Sequence, residues 1–168
     1  IDEAFHLSFP MIFENKNHLY MIPESEASNS VILYKCISFP YKWEKDKVIL
    51  NNVKACDSVV FQNDLGQYLF ITSLMDEKST NERKNFCYVH NVMYELDEDL
   101  NIIPDSKREL SEGDYGIRNA GKVIKTKSNL IRIAQNCTEG MYGKGLVFWA
   151  LDSYNPYKEH ELANIDYK

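Results

Sequence analysis

Two acids stand where chemistry can be done. Asp57 opens the apolar run Ala55-Cys56-Asp57-Ser58-Val59-Val60-Phe61, and Glu24 closes the run Tyr20-Met21-Ile22-Pro23-Glu24. A carboxylate at the mouth of a strand either takes part in proton transfer and ligand contact or caps a turn by accepting backbone N–H groups. Glu24, at a strand end, is either a ligand contact or a solvated side chain. Arg118 and Arg132 carry planar forks that suit a carboxylate on a neighbouring strand, or a hydroxyl or phosphate of a ligand. Gln135 and Asn136 follow the run Leu130–Ala134 and have donors and acceptors for hydroxyl groups; turn formation is the equal alternative. His6 and His18 have no recognisable nucleophile beside them. A Ser8, His6, Asp57 set can be written down, but no nucleophile elbow accompanies it. Trp43 and Trp149 read as core residues rather than ligand platforms.

These residues need a scaffold, and the chain reads as all-β. In 168 residues there are 11 Tyr, 8 Phe and 2 Trp among many short alternating runs, which favours sheet over helix. Ala55–Thr72 is the clearest case: Val59 and Phe61 alternate with more polar neighbours, Asn63-Asp64-Leu65-Gly66 turns the chain, and Tyr68 and Phe70 alternate again. The pattern recurs. Taking Phe61 as origin, residues seven and nine on are Tyr68 and Phe70; around Phe13 they are Tyr20 and Ile22, and around Ile124 they are Ile131 and Ile133. The apolar runs Val31–Tyr34, Phe86–Val89 and Leu146–Leu151 follow the hairpins, and Pro-Tyr-Lys appears at both 40–42 and 156–158. A β unit of roughly 50 residues, repeated, is the signature of propeller blades. The alternative is a plain antiparallel sandwich.

The expected division is one partial propeller domain, 1–168, with blade-like units at about 7–50, 51–98 and 99–168. The charged segment Asp76–Lys84 reads as a solvated loop before a long strand Asn85–Leu96. Ser106 with Glu109 three residues later suggests one helical turn within Asp105–Gly113. Arg118–Thr126 and Asn129–Gln135 form the third hairpin, and the tail from Asn155 supplies an outer strand. Propellers need about four to eight blades, so three units require further chain, further copies or another cover.

A net charge of −6 without a basic stripe argues against nucleic acid. Cys36, Cys56, Cys87 and Cys137 form no CxxC and read as reduced core thiols. The four histidines do not pair with them at metal spacing, so no metal and no cofactor is expected. The Gly140–Gly145 loop lacks the phosphate-loop spacing. No run has the length of a membrane span, and no leader is visible although residue 1 is Ile; the cytoplasm is favoured for a bacterial protein.

Several segments resemble one propeller family. They are His6-Leu7-Ser8-Phe9-Pro10, Phe13-Glu14, Tyr20–Ser25, Pro40-Tyr41-Lys42-Trp43, Ala55-Cys56-Asp57 and Leu130–Cys137. They resemble the N-terminal domain of plant glucosamine inositolphosphorylceramide transferases and bacterial relatives, among the arabinanase/levansucrase/invertase-like five-bladed propellers. The resemblance spans about residues 6–150 and implies carbohydrate-related work. The wider hydrolase superfamily carries a base or nucleophile on the first blade, an orienting Asp on the second and an acid on the third. Four positions before each repeat origin stand Phe9, Asp57 and Ala120, so only the second blade keeps its acid; Asn136 stands where the family usually has Asp.

Three functions follow from the resemblance. The first is a domain that binds or positions a glycan, linked to a fused or associated glycosyltransferase. The second is a diverged glycosidase using Asp57 with Glu24, because two carboxylates supply proton donor and base or nucleophile. The third is a protein-interaction scaffold. Whether the chain is an enzyme stays open. Asp57 and Glu24 are the catalytic candidates; His6, Arg118, Arg132, Gln135 and Asn136 are the substrate-binding candidates.

Overall fold

The computed structural model describes residues 1–75 and 88–167. The chain is almost all strand. β1 (Ser8–Asn15), β2 (His18–Glu24), β3 (Ser30–Ser38) and β4 (Lys42–Asn51) form one antiparallel sheet. β5 (Ala55–Gln62), β6 (Tyr68–Leu74), β7 (Val89–Leu96) and β8 (Arg108–Gly113) form a second. In the third, β11 (Leu130–Asn136), β12 (Gly145–Tyr154) and β13 (Tyr157–Asp166) follow one another, while β9 (Tyr115–Asn119) and β10 (Ile124–Lys125) share one edge of β11. The sheets are three successive blades of an open propeller, with β1, β5 and β9–β10 innermost.

Burial explains the strand sequences. The middle blade is covered on both faces, so β5 is buried without a break from Ala55 to Phe61, Asp57 and Ser58 included, and only Gln62 is exposed. β1 is covered on one face, so Met11 and Asn15 are buried while Pro10, Ile12 and Glu14 face out. Ile22, Val31 and Leu33 of the first blade pack with Val60, Phe70 and Val92 of the second. A second cluster joins all three blades through Met11, Val59, Leu69, Val123, Leu130 and Leu151. Each such side chain contributes on the order of 1.5–3 kcal/mol when fully buried.

The hairpins end in turns their sequences dictate. Lys16 and Asn17 both have positive φ, 47° and 63°, which gives the two-residue turn whose twist matches the strands. The Thr126–Asn129 turn closes with backbone and hydroxyl hydrogen bonds between those two residues. The second turn is longer: Asn63 Oδ1 accepts the N–H groups of Leu65 and Gln67, and Gly66 sits at φ +78°. Phe13 therefore faces Tyr20 and Ile124 faces Ile131, whereas Phe61 faces Leu69 and Tyr68 faces Gln62. The origins are equivalent in the first and third blades and one residue out of step in the second. All three line one cleft of about 740 Å3 at the turn end of the inner strands. Phe61 is 8% exposed there and Ile124 46%, because the third blade has no neighbour on its far side. Both Pro-Tyr-Lys segments sit at the same place, leading from the third strand of a blade into its outer strand, and both prolines are cis.

Three sequence expectations change. The second unit does not stop near Glu98: it continues through β8 to Gly113, because β8 pairs with β7. No helical turn forms between Asp105 and Gly113; tertiary pairing overrides the local capping signal, and Ser106 Oγ instead accepts the Glu95 N–H at 3.1 Å. The third inner strand is not continuous from Arg118 to Thr126 but breaks between Asn119 and Ile124. The loop Asp76–Lys84, Cys87 and the first residues of the strand expected from Asn85 lie outside the described residues. The tail does form an outer strand, β13. Cys56 and Cys137 are buried free thiols and Cys36 is half-buried.

Candidate functional site

The three inner strands share a defect at the end away from the cleft. In the first blade Ser8 pairs with Glu24, then Met11 with Ile22; in the second Cys56 pairs with Ser73, then Val59 with Ile71; in the third Tyr115 pairs with Asn136, then Asn119 with Ala134. Each slip is a bulge, and the residue after the first pair turns left-handed: Phe9 at φ 43°, Asp57 at φ 50° and Gly116 at φ 67°. The third equivalent of Asp57 is thus Gly116, not Ala120; the interruption between Asn119 and Ile124 displaces the spacing. Of the three positions only the second carries an acid. Gly116 is needed where it is, since a Cβ there would lie 2.7 Å from the Trp149 ring.

Asp57 is 2% exposed and hydrogen-bonded at 2.6 Å by Arg118 Nε of β9. Its left-handed backbone, which costs a non-glycine residue roughly 1–2 kcal/mol, is held by Asn119, whose Nδ2 donates to the Asp57 carbonyl at 2.8 Å. Glu24 reaches the same group from β2. Its Oε2 lies 3.4 Å from the Asp57 N–H and 3.9 Å from Arg118 Nη2, and its side chain is 22% exposed. Tyr142, from the loop after β11, lays its ring 5.2 Å from the Arg118 guanidinium. Gln135 donates to the Asn119 carbonyl at 3.2 Å and also hydrogen-bonds Tyr142. Four of the sequence candidates, Asp57, Glu24, Arg118 and Gln135, converge on one group.

The electrostatics divide the two acids. Burial pushes the Asp57 carboxyl up, and the Arg118 charge and hydrogen bond pull it back. Burial opposes the Arg118 charge, yet its negative neighbours outweigh that and hold the guanidinium above its ordinary value. Arginine stays protonated throughout the range in which proteins fold, so Asp57–Arg118 is an ion pair. Glu24 is pushed up, first by burial and then by the Asp57 charge, against the opposing pull of Arg118. A carboxyl raised in the folded state stabilises below its unfolded value and loses that contribution as pH rises through the folded value. Glu24→Gln should therefore gain stability over the parent as pH rises above about 4.3, the ordinary glutamate value. Urea unfolding of both proteins between pH 4 and 7 measures this. A constant difference across that range would show that Glu24 is not perturbed.

Glu24, Cys56 and Asp57 place one donor atom each within 4.8 Å of one another. The set does not suit a cation: Asp57 is already paired with Arg118, and burial, followed by the Asp57 charge, keeps the Cys56 thiol up and protonated.

The remaining candidates lie elsewhere. Arg132 is 1% exposed; Nε and Nη2 grip Glu159 at 2.9 and 2.5 Å, Nη2 also donates to the Gly116 carbonyl, and Nη1 donates to the Ile117 carbonyl and Asn119. With every donor engaged inside the chain it is a structural ion pair beneath the bulge rather than a ligand contact. Asn136 forms a turn, accepting from Thr138 N–H and Oγ1 and donating to Asp166. His6 is exposed in the lead-in before β1, and no described hydrogen bond joins it to the group. Ser8 hydrogen-bonds Glu24, so the Ser8–His6–Asp57 set does not assemble. Trp149 packs on Arg132 and donates to the Gly116 carbonyl, while Trp43 donates to Pro40. Sequence reasoning missed Asn119 and Tyr142. The one trace of Tyr142 was an aromatic residue in a glycine-rich loop following a strand.

Residues 1–167 match the family model described as "Glucosamine inositolphosphorylceramide transferase 1, N-terminal". The chain belongs to that family. Glucosamine inositolphosphorylceramide transferase 1 of Arabidopsis thaliana is 31% identical over 166 residues, which are 96% of this chain and 21% of the plant protein. The protein of the same name in Oryza sativa subsp. japonica is 29% identical over 170 residues, with 100% and 21% covered. The chain thus spans about a fifth of the length of these family members. Among solved structures, an endo-arabinase from Bacteroides thetaiotaomicron VPI-5482 superposes with TM-score 0.66 at 15% identity, over 97% of this chain and 66% of that one. A GH43_12 protein from a capybara gut metagenome gives TM-score 0.65 at 17% identity, over 93% and 30%. At these identities the likeness is one of fold, and it is the arabinanase-type propeller.

Proposed function

We propose that this family member binds and positions a glycan or glycosylated substrate for a glycosyltransferase segment of the same polypeptide or of an associated one. The observation that carries the reading is the set of three equivalent bulges, occupied by Phe9, Asp57 and Gly116. One acid among the three, buried and paired with Arg118, leaves the first and third inner bulges without a carboxylate. What it keeps is a polar group made of Glu24, Arg118 and Gln135, the kind of convergent donors and acceptors that orients hydroxyl groups. The names of the relatives and the carbohydrate-active fold neighbours support the same reading.

A diverged glycosidase is the second reading, and one measurement favours it: the Glu24 and Asp57 oxygens lie within 4.8 Å, near the roughly 5–5.5 Å of retaining enzymes. Against it, both carboxylates sit on the same arginine rather than across a substrate space. A glycan array and a panel of nitrophenyl glycosides separate the readings. Retention of saccharides without turnover is the expected result. Turnover abolished by Glu24→Gln would establish the hydrolase, and an array without hits would end the carbohydrate reading.

A further inference from the structure

Tyr142 is placed as a binding surface in its own right. Its ring lies over Arg118 and is 56% exposed, and the neighbouring Met141 is 48% exposed. The loop presenting it is pinned at both ends. Asn136 Oδ1 accepts the Thr138 N–H at 3.1 Å, and the Cys137 N–H donates to the Asp114 carbonyl at 2.8 Å. At the far end the Tyr167 N–H donates to the Lys144 carbonyl at 2.8 Å, and Lys144 pairs with Glu139 at 2.9 Å. Between these ties Met141 N–H returns to the Thr138 carbonyl, and Gly143 takes the left-handed conformation at φ +65°. An aromatic ring held this way loses little freedom when a ligand settles on it.

We infer that Tyr142 is a stacking platform for a neutral sugar ring and that the polar group beneath it disfavours phosphorylated ligands. The inference rests on the glycan-positioning reading and narrows its ligand class. The face of an aromatic ring is electron-rich, and the C–H face of a pyranose is weakly positive, so the two attract. Arg118 under the ring would draw that density away, but Asp57 at 2.6 Å offsets its charge. The same offset removes the arginine as a phosphate anchor. The cation is already matched by Asp57, Glu24 adds a second carboxylate 3.9 Å away, and Lys144 is matched by Glu139. A phosphate arriving here meets more negative than positive charge, whereas a sugar hydroxyl can donate to Glu24 and accept from Arg118.

The test is calorimetric and NMR titration of the whole chain with neutral di- and trisaccharides, glucose 6-phosphate and inorganic phosphate. Neutral saccharides should bind at least about tenfold more tightly than either phosphate. Tyr142→Ala should weaken that binding about tenfold, the scale of one aromatic contact, with a fall in melting temperature of no more than about 2–4 °C, the scale of losing the contacts to Arg118 and Gln135. Tyr142→Phe, which keeps the ring, should stay within about threefold. Equal or tighter binding of the phosphates, or saccharide binding indifferent to Tyr142→Ala, overturns this inference and leaves the glycan-positioning reading standing. If no saccharide binds, the reading falls and this inference with it.

Discussion

Arg132→Met is expected to cost about 3–5 kcal/mol, the usual penalty for removing one partner of a buried ion pair. The guanidinium is 1% exposed and holds Glu159 through two of its nitrogens. Its other donors reach the carbonyls of Gly116 and Ile117, which lie within the third bulge. Methionine fills much of the same volume but leaves Glu159 without its cation and takes one donor from each carbonyl, which keep only Trp149 Nε1 and Asn91 Nδ2. For a domain of this size the loss corresponds to a fall in melting temperature on the order of 10 °C. Urea unfolding followed by fluorescence measures it. The double variant Arg132→Met, Glu159→Leu should recover part of the loss, because the stranded carboxylate is gone while the arginine's hydrogen bonds to the two carbonyls and Asn119 stay lost. A single variant within 1 kcal/mol of the parent would mean that this network does not hold the third blade together.

Arg118→Met should be comparably damaging, about 3–5 kcal/mol near neutral pH, and its loss should depend on pH. Asp57 is 2% exposed and has Arg118 as its charge partner. Without the arginine, burial acts on the carboxyl against only the Cys56 hydrogen bond, so its folded-state value rises further above its unfolded value of about 3.9. A raised carboxyl contributes stability that is present below the unfolded value and lost as pH rises through the folded one. The variant should therefore approach the parent near pH 4 and fall behind it towards pH 7. Unfolding curves at both values decide the matter. A gap of the same size at pH 4 and 7 would show that Asp57 is not the group Arg118 neutralises. Asp57→Asn should cost less than Arg118→Met, since Glu24 at 3.9 Å remains to face the arginine.

These two arginines also mark how far the sequence could be read. Both were candidates for pairing with acids across strands or for gripping a ligand, and both pair with acids. Which acid each meets was not legible: Asp57 and Arg118 are 61 residues apart, and Arg132 and Glu159 are 27 apart. Glu24 and Asp57 were read as a possible pair and do lie together, brought there by packing of the first two blades. Spacing failed at the third bulge. Counting back from Ile124 pointed to Ala120, because nothing in Gly121-Lys122-Val123 announces that the strand is broken there. Ser106 with Glu109 carried a helical signal that pairing with β7 overrides. Tyr142 stood in a loop whose path follows from backbone ties to Asp114 and Tyr167, again remote in sequence.

Local order was therefore written in the residues themselves. Alternation with period two, Asn and Gly at left-handed turn positions, and a doubly buried run in the middle blade depend on neighbours a few positions away, and they specify antiparallel hairpins repeated as blades. The register of each bulge, the acid that each buried arginine neutralises and the ring that covers Arg118 depend on contacts between blades. Those contacts exist only once the blades have packed, so tertiary structure decided the composition of the site.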